Sequence, residues 1–128
     1  TLGQIVSGGE LSRIMMAIKL SINSFSENKL FILDEIDSGL SGKEADSIGN
    51  IIKTLSFKNQ AICITHLSQI ASKADRHFKV YKKVVQDRTN CIIKVLDNES
   101  KITELASMIS GKKITAESID YAREILGK

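Results

Sequence analysis

The stretch Leu30-Phe31-Ile32-Leu33-Asp34-Glu35 determines how this chain of 128 residues can fold. Four consecutive apolar residues followed directly by two acids are typical of a short strand that is buried on both faces and ends at a polar edge. A second apolar run, at residues 61–65, has the same character and is followed by His66. Two such strands predict a parallel sheet in the first half of the chain.

Three stretches with a helical spacing of apolar residues surround these strands. Residues 10–25 and residues 43–57 place apolar side chains at steps of three or four, and residues 67–74 have the composition of a short helix. The order helix, strand, helix, strand, helix predicts an α/β fold with a short, mostly parallel sheet and flanking helices.

The pattern changes in the second half of the chain. Residues 77–85 and 91–96 alternate more loosely around the polar segment 86–90, which predicts a β-hairpin with a five-residue loop. Two helices are expected after it, at residues 101–110 and 116–126. Gly111 and Gly127 follow them at positions where glycine commonly ends a helix.

The composition excludes several classes of protein. Apolar residues make up 42% of the chain and charged residues 26%, which are ordinary globular values. No apolar run is long enough to cross a bilayer, and no secretory signal pattern is present. Cys63 and Cys91 each lie within an apolar run, so we expect buried free thiols in a reducing compartment.

Two further features bear on the kind of protein. The chain has no proline and does not begin with Met, and we interpret it as a piece of something longer. The net charge of +3 is too small to indicate a partner, but residues 73–94 contain seven basic and two acidic side chains. This segment is either a basic binding surface or simply a solvated face.

The segment Ser7-Gly8-Gly9-Glu10 is the first candidate site. Two glycines allow a close approach of the backbone to a ligand, and the N-terminus of a helix favours phosphate. The same four residues also fit a capping box, in which Ser7 caps the helix and Glu10 is the third helical residue. Both interpretations are open from the sequence.

The second and third candidates are the strand ends. Ligand sites in open α/β sheets lie at the carboxyl ends of strands, which is where Asp34, Glu35 and His66 are expected. In phosphoryl transfer one acid can hold Mg²⁺ while its neighbour positions or deprotonates water. The alternatives are a solvated strand end and a structural histidine.

The order and spacing of these motifs resemble the C-terminal half of an ABC-type ATPase head. Residues 6–10 look like the signature motif, residues 30–35 like Walker B with its catalytic glutamate, residues 36–42 like the D-loop, and His66 like the switch histidine. ABC transporters usually have proline after the glutamate, whereas this chain has Ile36. The resemblance is therefore to the SMC-like branch, which acts on DNA, and most of all to its bacterial ATPases of double-strand-break repair.

The resemblance implies a role for each motif. Asp34 is expected to support Mg²⁺, Glu35 to activate the attacking water, and His66 to sense the γ-phosphate. A second head is expected to hold ATP whose γ-phosphate contacts a segment of this chain. That segment comprises Ser7, Gly8, Gly9 and Glu10. ATP would thereby join two heads of a homodimer, and hydrolysis would release them.

Asp37 and Ser41 are the D-loop candidates for a contribution to ATP binding. Ser41 stands where most ABC proteins have Asp, and with Glu44 three residues later it also fits a helix N-cap. Asp37 is the nearer polar candidate in that loop.

The sequence contains no Gly-x-x-x-x-Gly-Lys-[Ser/Thr] pattern, which forms the phosphate-binding P-loop. By the resemblance, that loop belongs to an N-terminal lobe joined through a coiled coil. Residues 1–128 are then the C-terminal lobe, which needs its partner lobe to bind ATP and Mg²⁺ and is inactive alone. The implied partners are that lobe, a second head and DNA, with no membrane, in the bacterial cytoplasm with the nucleoid.

Two alternatives stand beside this interpretation. One is the head of another SMC-like chromosome-maintenance ATPase. The other, from a different class, is a non-catalytic dimerisation or DNA-binding module, for which the basic hairpin at residues 77–94 is the main support.

Overall fold

A computed structural model describes residues 10, 13, 14, 17, 18, 28–85, 88–111 and 113–127. The chain divides into two compact units, Thr1–Lys73 and Ala74–Lys128. A parallel pair of strands lies in the first unit and an antiparallel pair in the second. The predicted α/β class is confirmed.

The first unit contains a strand–helix–strand crossover. Its elements are β1 (Leu30–Leu33), α1 (Gly42–Leu55), β2 (Gln60–Cys63) and α2 (Ser68–Ala71). The two strands pair in parallel, with Leu33 opposite Cys63. Because α1 returns the chain to the start of the second strand, both strands end at the same edge of the sheet. The helices predicted at 43–57 and 67–74 are confirmed, the second being shorter than predicted.

The core of the first unit lies on one face of the sheet. Leu33 and Ile36 are buried there, and the partly buried side chains packed against them are Phe31, Ile48, Ile52 and Cys63. Successive side chains of a strand point to opposite faces, so Ile32 points away from this cluster and is 66% exposed. The expectation that β1 is buried on both faces is therefore wrong, because an apolar run does not reveal how many of its faces a neighbour covers.

The helix predicted at residues 10–25 lies largely outside the described residues. Those described within it are helical, namely Glu10, Arg13, Ile14, Ala17 and Ile18. The glycine-containing segment at residues 7–9 also lies outside the described part of the chain.

The second unit begins with the hairpin β3 (Phe78–Val85) and β4 (Arg88–Val95). The hairpin is confirmed, but the five-residue loop is wrong, because Asn90 pairs with Lys83 within the ladder. The polar residues at this end do not interrupt the strands, since the side chains near it are exposed to solvent. Cys91 is likewise exposed, contrary to the expectation of a buried thiol, whereas Cys63 is partly buried.

Two helices complete the second unit, α3 (Asn98–Ser110) and α4 (Ala116–Ile125). The first begins three residues earlier than predicted because the Asp97 side chain caps it by accepting a 2.7 Å hydrogen bond from the Ser100 N–H. Gly111 ends it with φ of 74°, as expected for glycine at that position. In the described part of the chain no helix has the length and apolarity needed to span a membrane.

Candidate active site

The candidate site lies at the carboxyl end of β1. Asp34 and Glu35 follow the last strand residue directly, and both side chains are exposed. The Glu35 N–H donates a 2.9 Å hydrogen bond to Asp34 Oδ1, which holds the first carboxylate against the turn that follows. The two acids are thus presented at the strand end, as the sequence predicts, while the residues after them are buried.

Glu35 has an unusual backbone conformation. Its φ is 56°, in the left-handed region, where a residue with a Cβ costs about 1–2 kcal/mol. The neighbouring Ile36 is only 1% exposed and anchors the turn in the core. Such conformations persist where the surrounding structure imposes them, and they cluster at functional sites. The turn therefore holds the Glu35 carboxylate out of the core against a local preference of the chain.

Asp37 links the ends of the two strands. Its side chain is 5% exposed, and its Oδ2 accepts hydrogen bonds from Thr65 Oγ1 at 2.6 Å and from the His66 N–H at 2.8 Å. Burial by itself raises the pKa of Asp37, but the hydrogen bonds from Thr65 and His66 outweigh it, so the pKa lies below its ordinary value. Asp37 is therefore an ionised, hydrogen-bonded carboxylate at neutral pH.

His66 lies at the matching end of β2, as predicted from the sequence. Its imidazole Nδ1 is 3.0 Å from Asp37 Oδ2, and its side chain is 74% exposed. The backbone around it is joined to the first strand, because the Ile64 N–H donates to the Leu33 carbonyl at 2.9 Å. The structure thus brings His66 to the same edge of the sheet as the two acids and connects it to the D-loop-like turn through Asp37.

Ser41 caps α1. Its N–H and its hydroxyl each donate a 2.8 Å hydrogen bond to Glu44 Oε2. The backbone bond is one half of a capping box between these two residues. These bonds, the backbone one foremost, hold the pKa of the exposed Glu44 below its ordinary value. The capping function anticipated for Ser41 is confirmed, and its contact with ATP stays a prediction.

Two residues of this region escaped the sequence analysis. The Arg13 guanidinium donates hydrogen bonds to the carbonyls of Ser38 at 2.8 Å and Ile36 at 3.3 Å, on either side of Asp37. Thr65 is the second, through its bond to Asp37. Thr65 was detectable in principle, because the parallel arrangement places the residues after both strands at one edge, whereas nothing in the sequence indicates the Arg13 contact.

A magnesium site built only from protein groups is not present in the described residues, where no cluster of three or more His, Cys, Asp and Glu side chains could hold a metal. Mg²⁺ is usually bound by one or two carboxylates and completes its shell with water and phosphate oxygens. The exposed carboxylate of Asp34 fits that role.

Comparison with known proteins identifies the family. Residues 3–90 match the family described as RecF/RecN/SMC N terminal domain. The chain belongs to the RecF/RecN/SMC family. Within this family it is similar to proteins named DNA repair protein RecN, in agreement with the resemblance of residues 6–10, 30–35 and 36–42 to the motifs of repair ATPases.

Three relatives illustrate this similarity. RecN of Rickettsia typhi is 46% identical over 125 residues, which are 98% of this chain and 23% of the relative. RecN of Bacillus subtilis is 39% identical over 126 residues, with 98% and 22% covered. RecN of Treponema pallidum is 39% identical over 125 residues, also with 98% and 22% covered. The chain thus spans less than a quarter of the length of these members of the family.

The fold agrees with this assignment. A solved structure described as "Structural biochemistry of ATP-driven dimerization and DNA stimulated activation of SMC ATPases" superimposes with a TM-score of 0.58 at 21% identity. The superposition covers 86% of this chain and 66% of the chain in the solved structure. The predicted fold, that of part of an SMC-like head, is confirmed at this level.

Proposed function

We propose that this chain is the C-terminal lobe of the head of a RecN-type DNA-repair ATPase. It supplies the signature motif, Walker B, the catalytic glutamate and the switch histidine to ATP sites that form when two heads pair. The observation that supports this most is the presentation of Asp34, Glu35 and His66 at one edge of a parallel strand pair, with Glu35 held in a left-handed conformation. The RecN relatives, at 39–46% identity, favour this function over that of another SMC-like chromosome-maintenance ATPase.

Three residues of this chain have separate roles in ATP hydrolysis. Asp34 supplies an oxygen ligand to Mg²⁺, which neutralises phosphate charge when bound. Glu35, exposed beside it, accepts a proton from the attacking water. His66 contacts the γ-phosphate from the neighbouring strand end.

The second head contributes the remaining contact. Its Ser7, Gly8 and Gly9, together with Glu10, approach the γ-phosphate across the interface, where backbone N–H groups at a helix N-terminus favour an anion. ATP is then bound between two heads, and its hydrolysis removes the contacts that hold them together. DNA is the substrate on which this cycle acts.

The decisive experiment replaces Glu35 in a complete protein that carries this chain. Because loss of a general base lowers turnover by about 10²–10⁴-fold, Glu35→Gln should abolish steady-state ATP hydrolysis. It should preserve ATP-dependent pairing of heads, measured by sedimentation or light scattering. The matched control is Glu124→Gln, which removes an exposed acid from α4. Normal turnover of the Glu35→Gln protein would show that Glu35 is not the base.

The isolated chain provides a second test. Without a P-loop it should show no magnesium-dependent ATP hydrolysis above the buffer rate. Sustained activity that disappears with Glu35→Gln would contradict the assignment of the P-loop to another lobe.

DNA binding by the hairpin is a second candidate function. Its described residues include no acid, and its exposed cations are Lys82, Lys83, Arg88 and Lys94. If Lys82 and Lys83 contact phosphates, replacing both with Ala should lower the slope of log K against log salt by about 1.8, since each contact contributes about 0.9. Replacing Lys43 and Lys113, which are also exposed, removes the same charge and should leave the slope unchanged. Equal slopes for both double variants would exclude phosphate contacts by Lys82 and Lys83 of the hairpin.

A further inference from the structure

Asp37 is a buried carboxylate that no step of the proposed hydrolysis uses. Its place in the D-loop-like turn suggested a contact with ATP, yet its side chain is 5% exposed and faces the protein. One oxygen, Oδ2, meets the hydroxyl of Thr65, the backbone N–H of His66 and the imidazole Nδ1 of His66, at 2.6, 2.8 and 3.0 Å. Two of these three groups belong to His66, so the carboxylate acts on the histidine from both its backbone and its ring.

We propose that Asp37 is a positioning residue that keeps a proton on Nδ1 of the His66 imidazole and fixes the ring with Nε2 turned away from the carboxylate. An ionised carboxylate can only accept hydrogen bonds. If Nδ1 were unprotonated, two lone pairs would face each other across 3.0 Å, which is repulsive. The tautomer of a histidine is set by the partner of its other nitrogen, and here that partner is the carboxylate.

The surroundings of Asp37 make this arrangement rigid. Ile36, one residue before it, is buried in the core. Arg13 donates to the carbonyls of Ile36 and Ser38, which fixes the main chain on both sides. Hydrogen bonds from Thr65 and His66 overcome the effect of burial and lower the pKa of Asp37, so the carboxylate is charged at neutral pH. The position of the Asp37 carboxylate is therefore fixed, and the carboxylate stays ionised.

A contact of Nε2 with the γ-phosphate requires that atom to take up the ring's second proton from solvent, and this step rests on the proposed function. The proton on Nδ1 in the chain without nucleotide does not. The tautomer can be read directly by NMR on the chain labelled with ¹⁵N at histidine. Only two histidines are present, so His77→Gln assigns the signals of His66. The expected spectrum of the neutral ring has the proton on Nδ1 and an unprotonated Nε2.

Variants of Asp37 separate positioning from general structure. Asp37→Ala should shift His66 toward the tautomer protonated on Nε2. Asp37→Asn should keep the proton on Nδ1, because the His66 backbone N–H requires an acceptor at the Oδ2 position and so orients the amide oxygen there. Asp46→Ala removes an acid that pairs with Lys73 and is the matched control, which should leave His66 unchanged.

The outcomes are distinct. An Nε2-protonated ring in the unsubstituted chain, or an unchanged tautomer in a folded Asp37→Ala chain, would overturn the proposal. If Asp37→Ala fails to fold, the unsubstituted chain and Asp37→Asn still decide it, because loss of the Nδ1 proton in either contradicts the role assigned to the carboxylate.

Kinetics in the complete protein give a second readout. Asp37→Ala should lower kcat for ATP by about 10²-fold, the lower end of the effect of losing one hydrogen-bond donor to the transition state, with little change in KM, while Asp37→Asn retains most activity. If the tautomer shifts as expected but His66→Gln hydrolyses ATP normally, the proposed function of His66 fails and the positioning by Asp37 stands. A fall in kcat with no change of tautomer would overturn the positioning role.

Discussion

Replacing Glu35 by glycine should stabilise the fold while destroying the proposed catalytic site. The φ of 56° at this position disfavours a residue with a Cβ by about 1–2 kcal/mol. Glycine removes that penalty, but it makes the unfolded chain more flexible, which offsets about 0.5–1 kcal/mol. The difference favours Glu35→Gly over Glu35→Ala by about 0.5–1 kcal/mol. Both variants lose the carboxylate equally, so their comparison isolates the backbone.

A matched pair of replacements in α1 should show the opposite order of stability, with alanine more stable than glycine. Ser47 is an exposed residue in the middle of this helix, and its hydroxyl bond to the Lys43 carbonyl is lost in both replacements. There Ser47→Gly should be less stable than Ser47→Ala by about 1 kcal/mol, since glycine is a poor helix former.

The assay is urea unfolding of the four variants, with the midpoint and the slope fitted for each. Equal slopes ensure that the midpoints report stability and not a change in the unfolded ensemble. The reasoning is refuted if glycine lowers the stability at position 35 by as much as it does at position 47. That result would mean that residue 35 is not held in the left-handed region in solution.

Three further predictions follow from the packing and the charges. Gly49→Val should lower the free energy of unfolding by about 1–3 kcal/mol, because even a Cβ at this position lies 3.3 Å from the Gln69 carbonyl oxygen; an unchanged urea midpoint would contradict this. Burial raises the pKa of Cys63 to about 11, so Cys63 should react with a maleimide more slowly than the exposed Cys91, as mass spectrometry of the time course can show. The pKa of Asp37 is lowered from 3.8, so its contribution to stability is present above that pH and is lost as pH falls through the folded value; urea midpoints of Asp37→Asn should therefore depend less on pH below about 4 than those of the unsubstituted chain.

The elements that the sequence predicts well are those in which one residue pattern determines one structure. The apolar run at 30–33 followed by two acids predicts a strand that ends at a polar edge, and the second run at 61–65 predicts a parallel pairing through the helix between them. The alternation of strand and helix therefore places Asp34, Glu35 and His66 at one edge from the sequence alone.

The features that the sequence did not predict depend on what surrounds an element. The apolar run of β1 is the same whether one or two faces are covered, so the 66% exposure of Ile32 is a tertiary property. Polar residues such as Asn90 favour a loop by their composition, but an exposed hairpin accepts them in its strands. Asp37 was placed correctly in the turn after the strand, while its contacts with Thr65 and His66 depend on how two separate loops meet.

The hydrogen bonds of Arg13 end on main-chain carbonyls, those of Ile36 and Ser38, and not on side chains. Every amino acid carries the same carbonyl, proline included. The helix that bears Arg13 can therefore remain attached to this turn whichever side chain residue 38 carries, and whichever apolar side chain fills the core at position 36. Substitutions at these positions can adjust the turn without removing its attachment to the helix.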